Sequence, residues 1–299
     1  MKREESRIKR AIVDDRWFAP KMVTPTFLVL LFMSAFSIAF TVYYSFTNYY
    51  YISRSPLKYI GFKNYLTLFN DGYFRSALLN TVKFTVWCSV LETICGIAVA
   101  VFVNSLKRFK QLVRVLLLVP YLLPPITAAL IWQMMLSSNY GIINQFLSRV
   151  GLPVFNWFFD VRTAMPVIIL IDVWQCTPFC FLLLDASLQT IPSEQYEAAR
   201  IDGAGRWQEF IHVTLPSLRN TITLCLLLRT IDSFRMFDKI NILTGGGPAN
   251  TTATITQYIY NYGVKSLKFG FASAGAIVMA LLVLFLSSFY IRRTMKTEI

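Results

Sequence analysis

The chain has 299 residues, of which 55% are hydrophobic, 15% aromatic and only 15% charged. Soluble domains carry about 25% charged residues, so this composition excludes an ordinary soluble domain and points to a membrane protein, which the long apolar runs make all-α. A net charge of +13 invites a nucleic-acid reading, but the basic residues flank apolar runs and form no separate basic domain, so no nucleic-acid partner is expected.

Residues 1–22 are polar, with seven Lys or Arg against four acids. The apolar run at 23–46 is too long for a signal peptide, and no small-residue cleavage site follows it. It reads as a first membrane helix starting near Pro25. Residues 47–77, rich in Tyr and Asn, read as an external loop with a short interfacial helix, the tyrosines sitting at headgroup level. A second span covers 78–103, and a tight basic turn follows with Lys107, Arg108, Lys110 and Arg114. The third span, 115–136, contains Pro120, Pro124 and Pro125. Such breakers survive in a membrane where neighbouring helices or a cavity re-satisfy the freed backbone groups. They mark either a kink that matters for gating or a static packing kink.

A second external loop, 137–163, is amphipathic over 140–147, and the fourth span covers 164–184. Next comes a polar island in an otherwise lipid-soluble chain, at 192–216. Pro192 suits a first helical turn, Ala198 and Ala199 favour helix, and Gly203 can end the helix in a left-handed cap. A second short helix is expected at 206–212, before Leu215–Pro216 opens the next apolar run. The fifth span covers 221–237 and leads to the sharp turn Thr244-Gly245-Gly246-Gly247-Pro248. Residues 249–268 are external. The sixth span, 269–291, is rich in Gly and Ala, so another helix can approach it closely. A basic tail, 292–299, closes the chain.

Six spans put both termini on one side. That side, comprising the N-terminal tail, the turn at 107–114, the polar island and the C-terminal tail, holds 17 Lys and Arg. The opposite loops, Lys239 among them, hold nine. Positive charge concentrates on the cytoplasmic side, which places both termini and the polar island in the cytoplasm.

Catalytic chemistry is not expected. There is one histidine, His212, and no phosphate loop, Ser-His-acid set, zinc pattern or carboxylate pair stands out. Five cysteines (Cys88, Cys95, Cys176, Cys180 and Cys225) fall in apolar runs and read as small buried hydrophobes. No metal site is expected, although Cys176 and Cys180 share a helix face. The intramembrane charges say more. Glu92, Asp172, Arg229, Asp232 and Arg235 fall within or beside spans, where each ion costs about 2.5–3.5 kcal/mol. Arg229, Asp232, Ser233 and Met236 recur at helical spacing on the fifth span. Asp172, Cys176 and Phe179 do so on the fourth. The stripes read as a surface lining a water-filled substrate pathway, with a structural Arg229–Asp232 ion pair as the alternative. For Glu92, packing or a subunit contact weighs as much as transport.

The polar island carries a spacing that identifies it. Glu197-Ala198-Ala199, three residues, Gly203, nine residues and Val213-x-Leu215-Pro216 resemble the EAA motif of binding-protein-dependent ABC importer permeases. The one departure is Val213, where isoleucine is common. Gly61-Phe-Lys-Asn-Tyr65, the proline-rich third span, Asp172-Val-Trp-Gln175 and the run from Phe237-Asp to Thr244-Gly-Gly-Gly-Pro-Ala249 resemble the carbohydrate branch of that family. The likeness covers nearly the whole chain, with a homologous core at 76–291 preceded by the tail, first helix and external loop at 1–75.

The resemblance implies a type I ABC importer permease fold with six transmembrane helices in the bacterial inner membrane. It also implies a second homologous permease subunit, two ATPase subunits and an extracytoplasmic solute-binding protein. No cofactor is expected on this chain, ATP and Mg belonging to the ATPase. Glu197, Ala198, Ala199, Asp202, Gly203, Leu215 and Pro216 would couple to the ATPase. Sugar contacts would fall near Asp172, Cys176, Phe179, Arg229, Asp232, Ser233 and Met236, and the loop Gly245–Pro248 would face the binding protein. The implied cargo is a sugar or sugar derivative. An anionic sugar, sugar phosphate or polyol is the alternative, since Arg229 could meet an anion. An ion-coupled secondary transporter, with Glu92 or Asp172 titrating, is a different class of reading, as is a non-transporting membrane scaffold.

Overall fold

The computed structural model describes residues 2–53, 55–106 and 108–295. Residues 296–299 of the basic tail, and Arg54 and Lys107 of the charge count, lie outside them, as do the side chains of the N-terminal tail. Every regular element of the described chain is a helix, apart from an isolated antiparallel bridge between Thr47 and Tyr59. α1 (Lys2–Ser45) runs without a break from the polar segment into the first apolar run. From Met22 onward its side chains are largely exposed within the chain, and it packs against α14 (Phe269–Met295). An apolar helix with so little protein around it is one solvated by lipid.

α2 (Lys63–Asn70) is the short helix expected in the first external loop. Asp71 then caps α3 (Gly72–Ser105), accepting the Tyr73 N–H at 2.9 Å. α3 packs most extensively against α7 (Ala164–Leu188), and this pair is the spine of the bundle. Gly96 makes the approach possible: a Cβ there would lie 2.6 Å from Cys180 Cβ and 3.2 Å from backbone. Apolar clusters on either side of the crossing centre on Ile168 and Ile171, and on Phe181 and Leu184.

The third span is broken more deeply than a kink. α4 (Lys110–Leu122) and α5 (Pro125–Met135) meet at 92°. Leu123 and Pro124 are extended (ψ 134° and 138°), because each precedes a proline that crowds the helical conformation. After α6 (Ile142–Arg149) in the second external loop, the span α7 leads into the polar island. There α8 (Ser193–Ile201) is followed by a helical rod made of α9 (Arg206–Glu209), a π-helical stretch (Phe210–Thr214) and α10 (Leu215–Ser217). Leu215 and Pro216 thus lie inside this rod, before a 64° bend into α11 (Arg219–Phe234).

The fifth span, expected to reach residue 237, stops at Phe234 and resumes as α12 (Asp238–Leu243). α13 (Ile255–Tyr260) and a π-helical turn (Asn261–Lys265) precede α14. Four described helices are long and apolar enough to cross a membrane, or up to six if each bent pair is one span.

Candidate functional site

The intramembrane charges converge on one buried cluster. Arg229 on α11 donates from Nε to Glu92 Oε2 on α3 and from Nη2 to Glu92 Oε1 at 3.2 Å. The same Nη2 lies 3.7 Å from Asp172 Oδ2 on α7. Lys239 on α12 donates to Asp172 Oδ1, and Cys176 Sγ approaches that oxygen at 3.7 Å. Glu92, Asp172, Arg229 and Lys239 are all buried. Two acids and two bases balance one another there, which is how charge survives in a low-dielectric interior.

This arrangement changes the expected pairing. Asp232 is a lesser partner of Arg229, at 3.6 Å, with its side chain 50% exposed, and it also meets Arg235 at 3.2 Å. Arg229 and Ser233, four apart, point inward, while Asp232 faces outward, so the stripe on α11 divides between a buried side and an open one. Met236 packs against the Ile168 and Ile171 cluster. Phe179 packs by Phe181 and against the Tyr121 ring, at 5.7 Å. Two members of the network lie outside the stripes read at helical spacing: Glu92, expected as an intramembrane charge that packs or transports, and Lys239, expected in an external loop. Glu92 is the principal partner of Arg229, and Lys239, counted among external charges, is 1% exposed. Its signal was a lone cation in the run Lys239-Ile-Asn-Ile-Leu243. Ligand atoms of Cys88, Glu92 and Asp172 lie within 4.8 Å of one another. The two cations already neutralise the carboxylates, so a metal ion there would meet uncompensated positive charge.

The polar island forms a second site. Pro192 is the N-cap of α8. Gly203 follows α8 with φ +82°, the left-handed conformation in which glycine alone carries no Cβ penalty. Arg200 bridges the turn to Glu209 on α9, with Nε to Oε1 at 2.7 Å and Nη2 to Oε2 at 3.4 Å. That hydrogen bond holds the Glu209 carboxyl below its ordinary range and raises Arg200. Gln208 Oε1 accepts the Gly205 N–H at 2.8 Å, and the Tyr196 hydroxyl meets Thr214 Oγ1 at 3.1 Å. The two helices are held at a set angle, with Glu197 and Ala198 exposed and Ala199 half-buried. Asp202, Gly203, Leu215 and Pro216 are also exposed. Beside them Ile201 is 86% and Trp207 72% exposed, an apolar surface left uncovered by the described residues.

At the other end, Gly245 and Gly246 take positive φ (60° and 94°). Gly246 is buried, Gly247 and Pro248 are half-buried, and only Gly245 of the four is exposed. Asn80 on α3 ties the loop down, donating to the carbonyls of Asn250 and Ala253 at 3.0 and 3.1 Å.

Known proteins place this geometry. A family model described as the binding-protein-dependent transport system inner membrane component matches residues 92–292. The chain belongs to this family. The permease is 37% identical over 242 residues to the trehalose/maltose transport system permease protein MalF of Thermococcus litoralis, covering 81% of each chain. It is 34% identical over 278 residues to the sulfoquinovosyl glycerol transport system permease protein SmoG of Agrobacterium fabrum, covering 93% of this chain and 90% of that one. Among solved structures it is similar to a bacterial ABC transporter involved in the import of the acidic polysaccharide alginate. The TM-score is 0.83 at 25% identity, covering 97% of this chain and 99% of that one. The MetNI methionine ABC transporter shares the fold, with a TM-score of 0.56 at 16% identity, covering 78% of this chain and 98% of that one. The permease is therefore an inner-membrane transport subunit and not an enzyme.

Proposed function

We propose that this permease is one half of the membrane channel of an ATP-driven importer for a sugar or sugar derivative, working by alternating access. Its partners are a second homologous permease, two ATPase subunits that carry ATP and Mg, and an extracytoplasmic solute-binding protein. The chain itself needs no cofactor or metal. The relatives named for trehalose/maltose and sulfoquinovosyl glycerol transport, and the neighbour that imports alginate, support carbohydrate as the cargo class.

Six spans result when α4 with α5 makes one crossing and α11 another beside the four long apolar helices, the α9–α10 rod staying out of the membrane, and the Lys and Arg asymmetry orients both termini to the cytoplasm. Residues 76–291 are the transport core, with 1–75 and 292–299 as flanking segments. The observation that carries the reading is the rigid α8–α9 element, which presents Glu197 next to exposed Ile201 and Trp207. A charged group amid uncovered apolar surface calls for a protein partner. Glu197, Ala198, Ala199, Asp202, Gly203, Leu215 and Pro216 form that ATPase-coupling surface. Asp172, Cys176, Phe179, Arg229, Asp232, Ser233 and Met236 border the substrate pathway, and Gly245–Pro248 belongs to the binding-protein side. Because Glu92 occupies two donors of Arg229, Arg229 gives no separate argument for an anionic cargo.

The test is uptake of radiolabelled trehalose and maltose into proteoliposomes holding the full assembly, with ATP supplied on the ATPase side. ATP-dependent accumulation that stops when the binding protein is omitted is expected. Accumulation driven by an ion gradient without ATP refutes the assignment.

A further inference from the structure

A cavity of about 970 Å³ lies where α1 stops and α14 starts, and none of its lining residues belongs to the charged network. Its walls come from distant stretches: Tyr49 and Tyr50 after α1, Lys63 and Asp71 at the two ends of α2, and Tyr262 and Lys268 before α14. On α1 the exposed apolar side chains run to Tyr43, and on α14 they begin at Phe269. The cavity therefore opens at headgroup level, inside the belt of aromatic residues expected there.

Its charge is unbalanced. Lys63 and Lys268 are exposed, and neither forms an ion pair among the described residues. Lys268 lies over the rings of Tyr50 and Tyr262, at 5.9 and 5.8 Å, which holds its ammonium at the cavity wall. Asp71 lines the same wall with its oxygens held by neutral donors, Oδ1 accepting the Tyr73 N–H at 2.9 Å and Oδ2 the Tyr258 hydroxyl at 2.5 Å, so two ammonium groups face one carboxylate.

We propose that this cavity seats the phosphodiester of an outer-leaflet anionic phospholipid, with Lys63 and Lys268 as its counter-charges and Tyr50 and Tyr262 positioning Lys268. The inference rests on the orientation proposed above, which puts this end of the bundle outside. Two ammonium groups at headgroup level supply the point charges a phosphate requires. The site begins at Thr47, just past the end of α1, and takes Phe271 from the first turn of α14, next to the exposed apolar sides of both helices, so an acyl chain need not leave the bilayer.

The experiment uses the full assembly, delipidated in detergent and titrated with phosphatidylglycerol, phosphatidylcholine or inorganic phosphate, with bound species counted by native mass spectrometry. The K63Q/K268Q variant is expected to lose on the order of 30-fold in phosphatidylglycerol affinity, with a much smaller loss for phosphatidylcholine, whose choline cation offsets its phosphodiester. The K63R/K268R variant keeps the charge and is expected to keep the affinity. A K63Q/K268Q protein that binds phosphatidylglycerol like the parent overturns the proposal. Inorganic phosphate binding as tightly as the lipid also overturns it, in favour of a free-anion site. So does weakened docking of the solute-binding protein in lipid-free detergent with lipid affinity intact, which assigns the surface to that protein. Orientation is checked separately with Lys63→Cys and a membrane-impermeant thiol reagent. Labelling from the cytoplasmic side alone removes the lipid site while leaving the uptake assay to judge transport.

Discussion

Glu92→Gln isolates what the buried network contributes. The substitution keeps side-chain volume and one hydrogen-bonding oxygen, but removes the charge that faces two donors of Arg229. Within the buried set, Asp172 would then serve both cations, and its Oδ1 already holds Lys239. Its Oδ2 stands 3.7 Å from Arg229, while Asp232, at 3.6 Å, is half exposed and screened by water. Removing one partner of a buried pair costs about 3–5 kcal/mol. The two remaining carboxylates place the expected loss near the lower end, about 3 kcal/mol. Deleting the stranded cation as well, in Glu92→Gln/Arg229→Met, leaves Asp172 with Lys239 and should recover stability, so the double variant is more stable than Glu92→Gln alone. Asp232→Asn, acting on a half-exposed pair, should cost less than about 1 kcal/mol. Reversible unfolding in mixed micelles, titrated with dodecyl sulfate, measures all three. Equal losses for Glu92→Gln and Asp232→Asn, or a double variant no more stable than Glu92→Gln alone, would refute a network in which Glu92 is the principal partner of Arg229.

Gly203→Pro cannot adopt φ +82°, since the ring holds φ near −65°; uptake into proteoliposomes should be lost while insertion, followed by protease protection, is retained. Gly203→Ala, with nothing within 4 Å of its new Cβ, isolates backbone strain of about 1–2 kcal/mol and should reduce uptake only partly. Gly96→Leu must separate α3 from α7 at Cys180, and a loss of about 1–3 kcal/mol is expected in the same micelle titration. Glu209 titrates below its ordinary range because Arg200 donates to it. Its contribution to holding α8 against α9 is therefore complete above the unfolded-state pKa and is lost as pH falls through the lower folded-state value. Melting curves from neutral to acid pH should converge for the parent and Glu209→Gln at the acid end. Parallel curves across the whole range would count against the pair.

What the sequence makes legible depends on the range of each signal. The turn at Gly203 and α8 are written in adjacent residues, and both appear where glycine and the Ala198–Ala199 pair place them. Runs of apolar residues locate α3, α7 and α14 for the same reason. The network depends on contacts that local spacing cannot register. Arg229 and Glu92 are 137 positions apart, and Lys239 and Asp172 are 67 apart. A search at helical spacing finds Arg229 and Asp232, which lie three apart, and so ranks the half-exposed partner above the buried one. Lys239 is hidden for a related reason: its neighbours along the chain resemble a loop exit, and only the return of α12 toward α7 buries it.

The breaks in the spans follow one physical rule, and it bears on the choice between a gating feature and a packing kink. An interrupted helix in hydrocarbon leaves carbonyls without partners, so a break persists only if another element supplies donors. Gln175 on α7 donates to Leu123 O at 2.8 Å, at the break between α4 and α5. Thr254 and Thr256 donate to Met236 O at 3.3 and 2.5 Å, at the break between α11 and α12. Gln133 donates to Ile242 O at 3.1 Å. Each donor comes from a different element than the carbonyl it serves, so each break is joined to a neighbour by hydrogen bonds and not only by packing. The gap between α11 and α12 also separates Arg229 from Lys239, and the buried charges hold both pieces against α3 and α7. A rigid-body tilt of α11 cannot occur without exchanging these contacts, which makes the break and the charge network parts of the same conformational unit.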